Sequence, residues 1–175
     1  MLKPKPTFDV SEDDVKTKYK RLMGKFHPDI QAGLSPKNDG ASNITDDQKD
    51  EDETQATTVT DVTRAYSVLK DPHERALHLL ELNKNPMKDD EGSNLLGQDF
   101  LAEIMELRMG VDNINDDQEL KQMMQANTIR ITQTCDALRI CFDQCDYDRA
   151  KRLTAELRYW TRIEEQLKEK IDDMD

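Results

Sequence analysis

Apolar residues recur at helical spacing along most of the chain, and this pattern predicts an all-α protein. The first amphipathic segment begins after Ser11, which is a good N-cap, and ends at Phe26, two residues before Pro28. The next one predicts a helix that packs on the first as an antiparallel hairpin; its apolar residues are Val59, Val62, Ala65, Tyr66 and Leu69. No alternating pattern of convincing length predicts a β-strand.

A third, short helix is expected directly after the hairpin. Asp71 can cap it, and Pro72 suits the first helical position, where its missing N–H costs little. A connector follows, because Asn85-Pro86 and Glu91-Gly92-Ser93 break helical periodicity.

Three more helices are predicted in the second half of the chain. They run from about Asp99 to Val111, where Gly110 marks a frayed end, from about Asp116 to Cys145, and onward from Asp146. The tight junction at Asp146 makes the two long helices antiparallel neighbours. With the first helix packed across them, they form a three-helix bundle.

These elements predict two domains. Residues 1–83 form a domain built on the helical hairpin, residues 84–98 a linker, and residues 99–175 the bundle. Residues 31–54 have almost no apolar side chains and are rich in acidic ones, so we expect a disordered acidic loop there. An alternative is that this loop shields a basic surface.

Charge is distributed unevenly. The chain carries a formal net charge of −12, which makes nucleic acid an unfavourable partner. The first helix nevertheless has five basic residues and no acid between Val15 and Phe26, and they are Lys16, Lys18, Lys20, Arg21 and Lys25. A solvated face is the ordinary interpretation of such a run. Its sign is opposite to that of the whole chain, however, and it ends at His27-Pro28-Asp29, so a docking surface is favoured.

Catalytic and metal chemistry have little support in the sequence. His27, His73 and His78 match no metal-binding spacing, and there is no phosphate-binding glycine loop or nucleophile elbow. The three cysteines continue the apolar face of one helix, which predicts core residues in a reducing compartment; they are Cys135, Cys141 and Cys145. We expect no enzyme activity, no metal and no cofactor. No apolar run is long enough to cross a membrane, so no membrane partner is expected.

Apolar residues in the second half exceed what a bundle core needs. Leu101 and Met105 lie one turn apart, and Tyr159 is near the middle of the last helix. Their charged neighbours are Glu103, Glu106 and Arg108. The pattern fits either a bulky core or an exposed apolar patch with a charged rim, which would be an interaction surface.

Several motifs resemble those of a known family. Lys-x-Lys-Tyr-Lys-Arg-Leu-Met-x-Lys-Phe-His-Pro-Asp at 16–29 resembles the second helix and following loop of a J-domain, and residues 64–72 resemble the end of its third helix. Residues 100–108 and 155–160 resemble the C-terminal bundle of HscB/Jac-type co-chaperones of iron–sulfur cluster biogenesis. The resemblance extends over nearly the whole chain outside residues 31–54.

The resemblance implies a co-chaperone with two partners. The first is a DnaK-type chaperone, whose ATPase such proteins stimulate; the matching residues are His27, Pro28 and Asp29, with Lys16, Tyr19, Lys20, Arg21 and Lys25 as docking contacts. The second is an IscU-type iron–sulfur scaffold, for which the matching positions are Leu101, Met105 and Tyr159 with Glu103, Glu106 and Arg108 at the rim. It further implies a monomer of the mitochondrial matrix.

The chain also departs from the family pattern. Only Met1 to Thr7 stand where the first J-domain helix is expected, so that helix and a leader peptide are expected to be absent from this chain. The loop after Asp29 is longer and more acidic, and Ala102 is small where a larger apolar residue is usual. Two other functions stay open from the residues: a J-protein for a different client, and an inert helical adaptor.

Overall fold

The computed structural model describes residues 6–26, 47–88 and 91–174, with the backbone alone for 47–58. Within these ranges the protein is all-α, as predicted, with seven helices and no strand. They are α1 (Glu12–Phe26), α2 (Asp47–Lys70), α3 (Pro72–Leu82), α4 (Glu91–Leu95), α5 (Gln98–Asn113), α6 (Asp117–Gln144) and α7 (Tyr147–Met174).

The helices belong to two compact units. One is Val10–Asp71, and the other combines the chain up to Asp9 with Pro72–Asp175. The expected domain boundary at residue 83 therefore differs from this division, because α3 belongs to the second unit. The reason is apolar burial: Ala76, Leu79 and Leu80 of α3 are buried in one cluster with residues of α6 and α7.

The first unit is the hairpin of α1 and α2. Ser11 caps α1 through its Oγ, which accepts the N–H of Asp14 at 3.3 Å. The rings of Tyr19 and Tyr66 stack between the helices with centroids 4.1 Å apart. The predicted apolar face of α2 is partly wrong, since Ala65 and Leu69 are exposed while Val68 is half-buried.

The second helix is longer than expected. It begins at Asp47, so the last part of the predicted loop, residues 47–54, is helical. The sequence from Asp47 to Lys70 contains no glycine or proline, and acidic residues near a helix N-terminus interact favourably with the helix dipole. The acidic composition of residues 47–54 therefore predicted a loop where the chain is helical. The remainder of the predicted loop, 31–46, lies outside the described residues.

The second unit is organised around α6 and α7, which pack along each other as predicted from the junction at Asp146. Asp116 and Asp146 cap the two helices, accepting the backbone N–H groups of Glu119 at 2.9 Å and Arg149 at 3.2 Å. Helix α5 packs on α7. A core cluster joins the C-terminal end of α5 to the adjacent ends of α6 and α7, and contains Val111, Ile114, Leu120, Ile163 and Leu167.

A residue before the first helix completes the other core cluster. Phe8 is only 5% exposed and stacks on Phe142 with ring centroids 5.7 Å apart. The Arg75 guanidinium lies over the Phe8 ring at 5.2 Å, and its Nη1 donates to the Phe8 carbonyl oxygen at 3.2 Å. A segment outside the helices therefore supplies a core side chain.

Helices α3 and α6 end in the same way. Lys84 and Cys145 adopt left-handed backbone conformations, with φ of 60° and 59°. In each case the next residue donates its N–H to the carbonyl oxygen five positions back along the chain, from Asn85 to Leu80 and from Asp146 to Cys141. This is the Schellman motif, which usually has glycine at the left-handed position.

Three smaller expectations are corrected. The linker contains the short helix α4. Gly110 lies within α5, which extends to Asn113, and a Cβ at Gly110 would lie 3.4 Å from the Met123 side chain. Of the three cysteines, Cys141 is buried and Cys135 half-buried, but Cys145 is exposed because it belongs to the turn after α6.

Candidate protein-binding surfaces

The basic face of α1 is a surface in the structure. The side chains at Lys16, Lys18, Lys20, Arg21 and Lys25 are all exposed. Of these, the first four form no ion pair with any residue that the structure describes. Tyr19 differs from its neighbours, because it is half-buried and its ring stacks on Tyr66. The other residues predicted for this surface, His27, Pro28 and Asp29, lie outside the described residues.

Helix α5 presents an apolar ridge, which we define as Leu101, Met105 and Met109. These residues are spaced four apart and share one face. Met105 is 65% exposed and Met109 62%, whereas Leu101 is half-buried. The adjacent Ile104 is 3% exposed and belongs to the core. Sequence analysis missed Met109, although its spacing from Met105 was a usable signal.

Tyr159 of α7 lies beside the start of this helix. Its ring meets that of Phe100 edge to face with centroids 6.0 Å apart, and Phe100 makes a second such contact with Trp160 at 5.2 Å. Trp160 is buried and Tyr159 is half-buried. Phe100 therefore connects the core to a partly accessible aromatic ring.

The three charged residues predicted for the rim differ in whether they form ion pairs. Glu103 forms an ion pair with Arg130 of α6 at 3.3 Å, and the Arg130 guanidinium lies over the Trp160 ring at 5.2 Å. Glu103 therefore helps to join α5 to α6. Glu106 and Arg108 are exposed and have no ion-pair partner in the described part of the chain.

The described residues contain no group of three or more histidine, cysteine or acidic side chains that could hold a metal ion. None of the described helices is long and apolar enough to span a bilayer. The features that stand out are a basic helix face and an apolar ridge. Together they define a helical protein whose identifiable surfaces suit binding to other proteins.

The comparisons with known proteins show which proteins this chain is similar to. Residues 96–168 match the family model described as HSCB C-terminal oligomerisation domain. The chain is 31% identical over 163 residues to the mitochondrial J-type co-chaperone jac1 of Schizosaccharomyces pombe and 27% identical over 164 residues to the iron-sulfur cluster co-chaperone protein HscB of Homo sapiens. The chain is thus similar in sequence to HscB and Jac1 co-chaperones, which agrees with the resemblance found in its motifs.

Coverage differs between these relatives. The matches include 92% and 93% of this chain, but only 64% of the S. pombe protein and 63% of the human one. Among solved structures, human HscB superimposes with a TM-score of 0.75 at 26% identity, covering 94% of this chain and 77% of that one. Chaperone HscB from Vibrio cholerae shares the fold, with a TM-score of 0.76 at 21% identity and coverage of 97% and 93%.

Proposed function

We propose that this protein is a J-type co-chaperone of iron–sulfur cluster assembly in the mitochondrial matrix. In this proposal it binds an IscU-type scaffold through the second unit, delivers the scaffold to a DnaK-type chaperone and stimulates the ATPase of that chaperone. The protein performs no chemistry itself and acts as a monomer. Its relatives are named as co-chaperones, and two of them as mitochondrial.

The observation that carries the proposal is the apolar ridge on α5. Met105 and Met109 are the most exposed large apolar side chains of the described residues, at 65% and 62%, and they lie one turn apart on one helix face. Adjacent exposed apolar side chains with charged neighbours are typical of protein interaction surfaces. The ridge and Tyr159 both lie within residues 96–168, the part that matches the HscB family model. Leu101, Met105 and Tyr159 are the proposed scaffold anchors, with Glu103, Glu106 and Arg108 at their edge.

The proposed binding of a chaperone depends on the first unit. Lys16, Lys20, Arg21 and Lys25 present positive charge that suits an acidic chaperone surface, and this makes docking sensitive to salt. The stimulating residues are His27, Pro28 and Asp29. Tyr19 contributes mainly by holding α1 on α2, because its ring stacks on Tyr66.

Having the two proposed binding surfaces on one chain has a physical advantage. A scaffold held on the second unit is kept near a chaperone held by the first, so the second binding step occurs at a raised effective concentration. Neither interface then needs high affinity. This is consistent with the modest extent of the ridge.

The direct test measures scaffold binding and chaperone stimulation with the wild-type chain. Its binding to an IscU-type scaffold is measured by calorimetry, and steady-state ATP hydrolysis by a DnaK-type chaperone is measured with the chain, with the scaffold and with both. We expect binding, stimulation by the chain, and further stimulation when both are present. ATPase stimulation without scaffold binding would indicate a J-protein with a different client, and the absence of both would leave only a helical adaptor.

A further inference from the structure

A groove of about 540 Å³ lies in the second unit, bordered by α3, α4 and α7. Among the described residues, three cationic side chains line it, Lys88, Arg158 and Arg162, and one acidic side chain, Glu81. This is a local reversal of sign in a chain of net charge −12. A groove of this character favours an anionic occupant.

Neither arginine of the groove is paired with an acid in the described part of the chain. Arg158 and Arg162 are exposed, and neither forms an ion pair or hydrogen bond with any residue in the described ranges. They lie four residues apart on α7, a spacing at which like charges repel each other. By contrast, Arg152 and Lys168 of the same helix are paired with Glu156 and Glu164. Two unpaired cations of α7, Arg158 and Arg162, therefore line the groove.

The walls of the groove are held in place by specific contacts. Lys151 of α7 and Glu91 of α4 form an ion pair at 3.1 Å, and both side chains are partly buried. A Cβ at Gly92 would lie 3.6 Å from that of Ala155, so α4 approaches α7 closely. These contacts fix α4 against the helix that carries the arginines. The groove is thus a built feature of the fold.

Tyr159 joins this groove to the α5 ridge. Its side chain lines the groove, and its ring also contacts Phe100 at the start of α5. A protein bound to the α5 ridge can therefore extend past Tyr159 to Arg158 and Arg162 without leaving the surface of the second unit. Tyr159 is thus shared between the groove and the contact with the start of α5, the helix that carries the ridge.

We propose that the groove binds an acidic segment of the same scaffold protein whose apolar surface docks on the α5 ridge. This inference rests on the proposed function and adds a second, electrostatic half to the interface. The two arginines contact carboxylates of that segment, and Tyr159 packs at the border between the halves. Arginine suits this role because its planar guanidinium can pair with a carboxylate through two hydrogen bonds.

The test compares two double variants of the full chain that have the same net charge. Arg158→Gln/Arg162→Gln neutralises the groove, and Lys121→Gln/Arg139→Gln neutralises two exposed cations of α6 outside it. Affinity for the IscU-type scaffold is measured by calorimetry at about 50 and about 500 mM salt. At low salt we expect the groove variant to bind about tenfold more weakly than wild type, with a smaller loss at high salt. The α6 variant should bind like wild type.

A third variant separates this inference from the proposed function. Leu101→Ala/Met105→Ala should weaken scaffold binding at both salt concentrations, because apolar contacts are not screened. If it weakens binding while the groove variant matches the α6 variant, the groove inference is wrong and the scaffold function stands. If wild type does not bind the scaffold, the proposed function fails, and the groove inference fails with it.

Discussion

The ring of Phe100 meets the ring of Tyr159 edge to face, with centroids 6.0 Å apart. Through this contact the start of α5 positions an aromatic side chain of α7 at the end of the apolar ridge. Phe100 is itself fixed by a similar contact with the buried Trp160. Tyr159 is therefore a preorganised anchor, which lowers the entropy lost when a partner binds it.

Replacing Leu101, Met105 and Tyr159 by alanine should weaken scaffold binding while ATPase stimulation in the absence of scaffold is preserved. Each anchor that becomes buried in an interface contributes roughly 1–3 kcal/mol to binding. Calorimetry with the scaffold and a chaperone ATPase assay measure the two effects. Tyr159→Phe is the matched control, because it keeps the ring contact with Phe100. Loss of the folded state in the triple variant, seen by circular dichroism, would assign these residues to the core.

The substitution His27→Gln should abolish stimulation of the chaperone ATPase and leave scaffold binding unchanged. Scaffold binding should be unchanged because the proposed scaffold anchors all belong to the second unit, whereas His27 precedes that unit's helices. A steady-state ATPase assay and calorimetry on the same preparation check both statements. His78→Gln is the control, as His78 is an exposed residue of α3. Full stimulation by the His27 variant would contradict any J-protein function.

Substitution of Phe8 by alanine should destabilise the second unit, even though Phe8 precedes the first helix. The substitution removes a ring that is 5% exposed, with its stacking on Phe142 and its contact with Arg75. Truncation of a buried phenylalanine costs about 3–5 kcal/mol in unfolding free energy. Urea denaturation measures the loss, and Phe8→Leu, which keeps most of the burial, should cost less. A loss no greater than that of Thr7→Ala would show that the segment is not part of the core.

Glycine at either Schellman position should stabilise the fold. Lys84 and Cys145 have φ near 60°, a region that glycine adopts without steric cost. Lys84→Gly and Cys145→Gly should each raise the unfolding free energy by about 1 kcal/mol, after allowance for the greater freedom of glycine in the unfolded chain. Chemical denaturation detects this change. The substitution Lys121→Gly, at an exposed helical position of α6, should lower the unfolding free energy. A destabilising result for both motif variants would count against the expectation.

The ion pair of α4 should make stability depend on pH. The pKa of Glu91 lies below its ordinary value because its carboxylate accepts the backbone N–H of Lys88 and pairs with Lys151. A carboxyl group with a lower pKa in the folded state stabilises the fold above its unfolded pKa, and this stabilisation is lost as the pH falls through the folded pKa.

The substitution Glu91→Gln removes this contribution. Between about pH 6 and about pH 3, wild type should therefore lose more unfolding free energy than the variant does. Urea midpoints across this range provide the measurement. Glu169→Gln, at an exposed position of α7, is a control that should follow wild type. Parallel curves for wild type and the Glu91 variant would show that the pair adds nothing to the pH dependence.

The sequence by itself determined the local features of this protein. The cap at Ser11 was readable because an N-cap depends on residues within one turn of it. The antiparallel pairing of α6 and α7 was readable because only two residues separate the helices. The basic face of α1 and the family motifs follow directly from residue order. The left-handed positions at Lys84 and Cys145 were missed because neither residue is glycine.

Only the tertiary structure decided which apolar residues are covered. Ile104 and Met105 are neighbours of similar hydrophobicity, yet one is buried and the other exposed, because the direction of α5 relative to α7 selects the buried face. Residues distant in sequence likewise determine the burial of Phe8, the burial of one face of α3 and the pairing of Glu103 with Arg130. Burial results from contacts between remote segments, and local periodicity does not specify which segments meet.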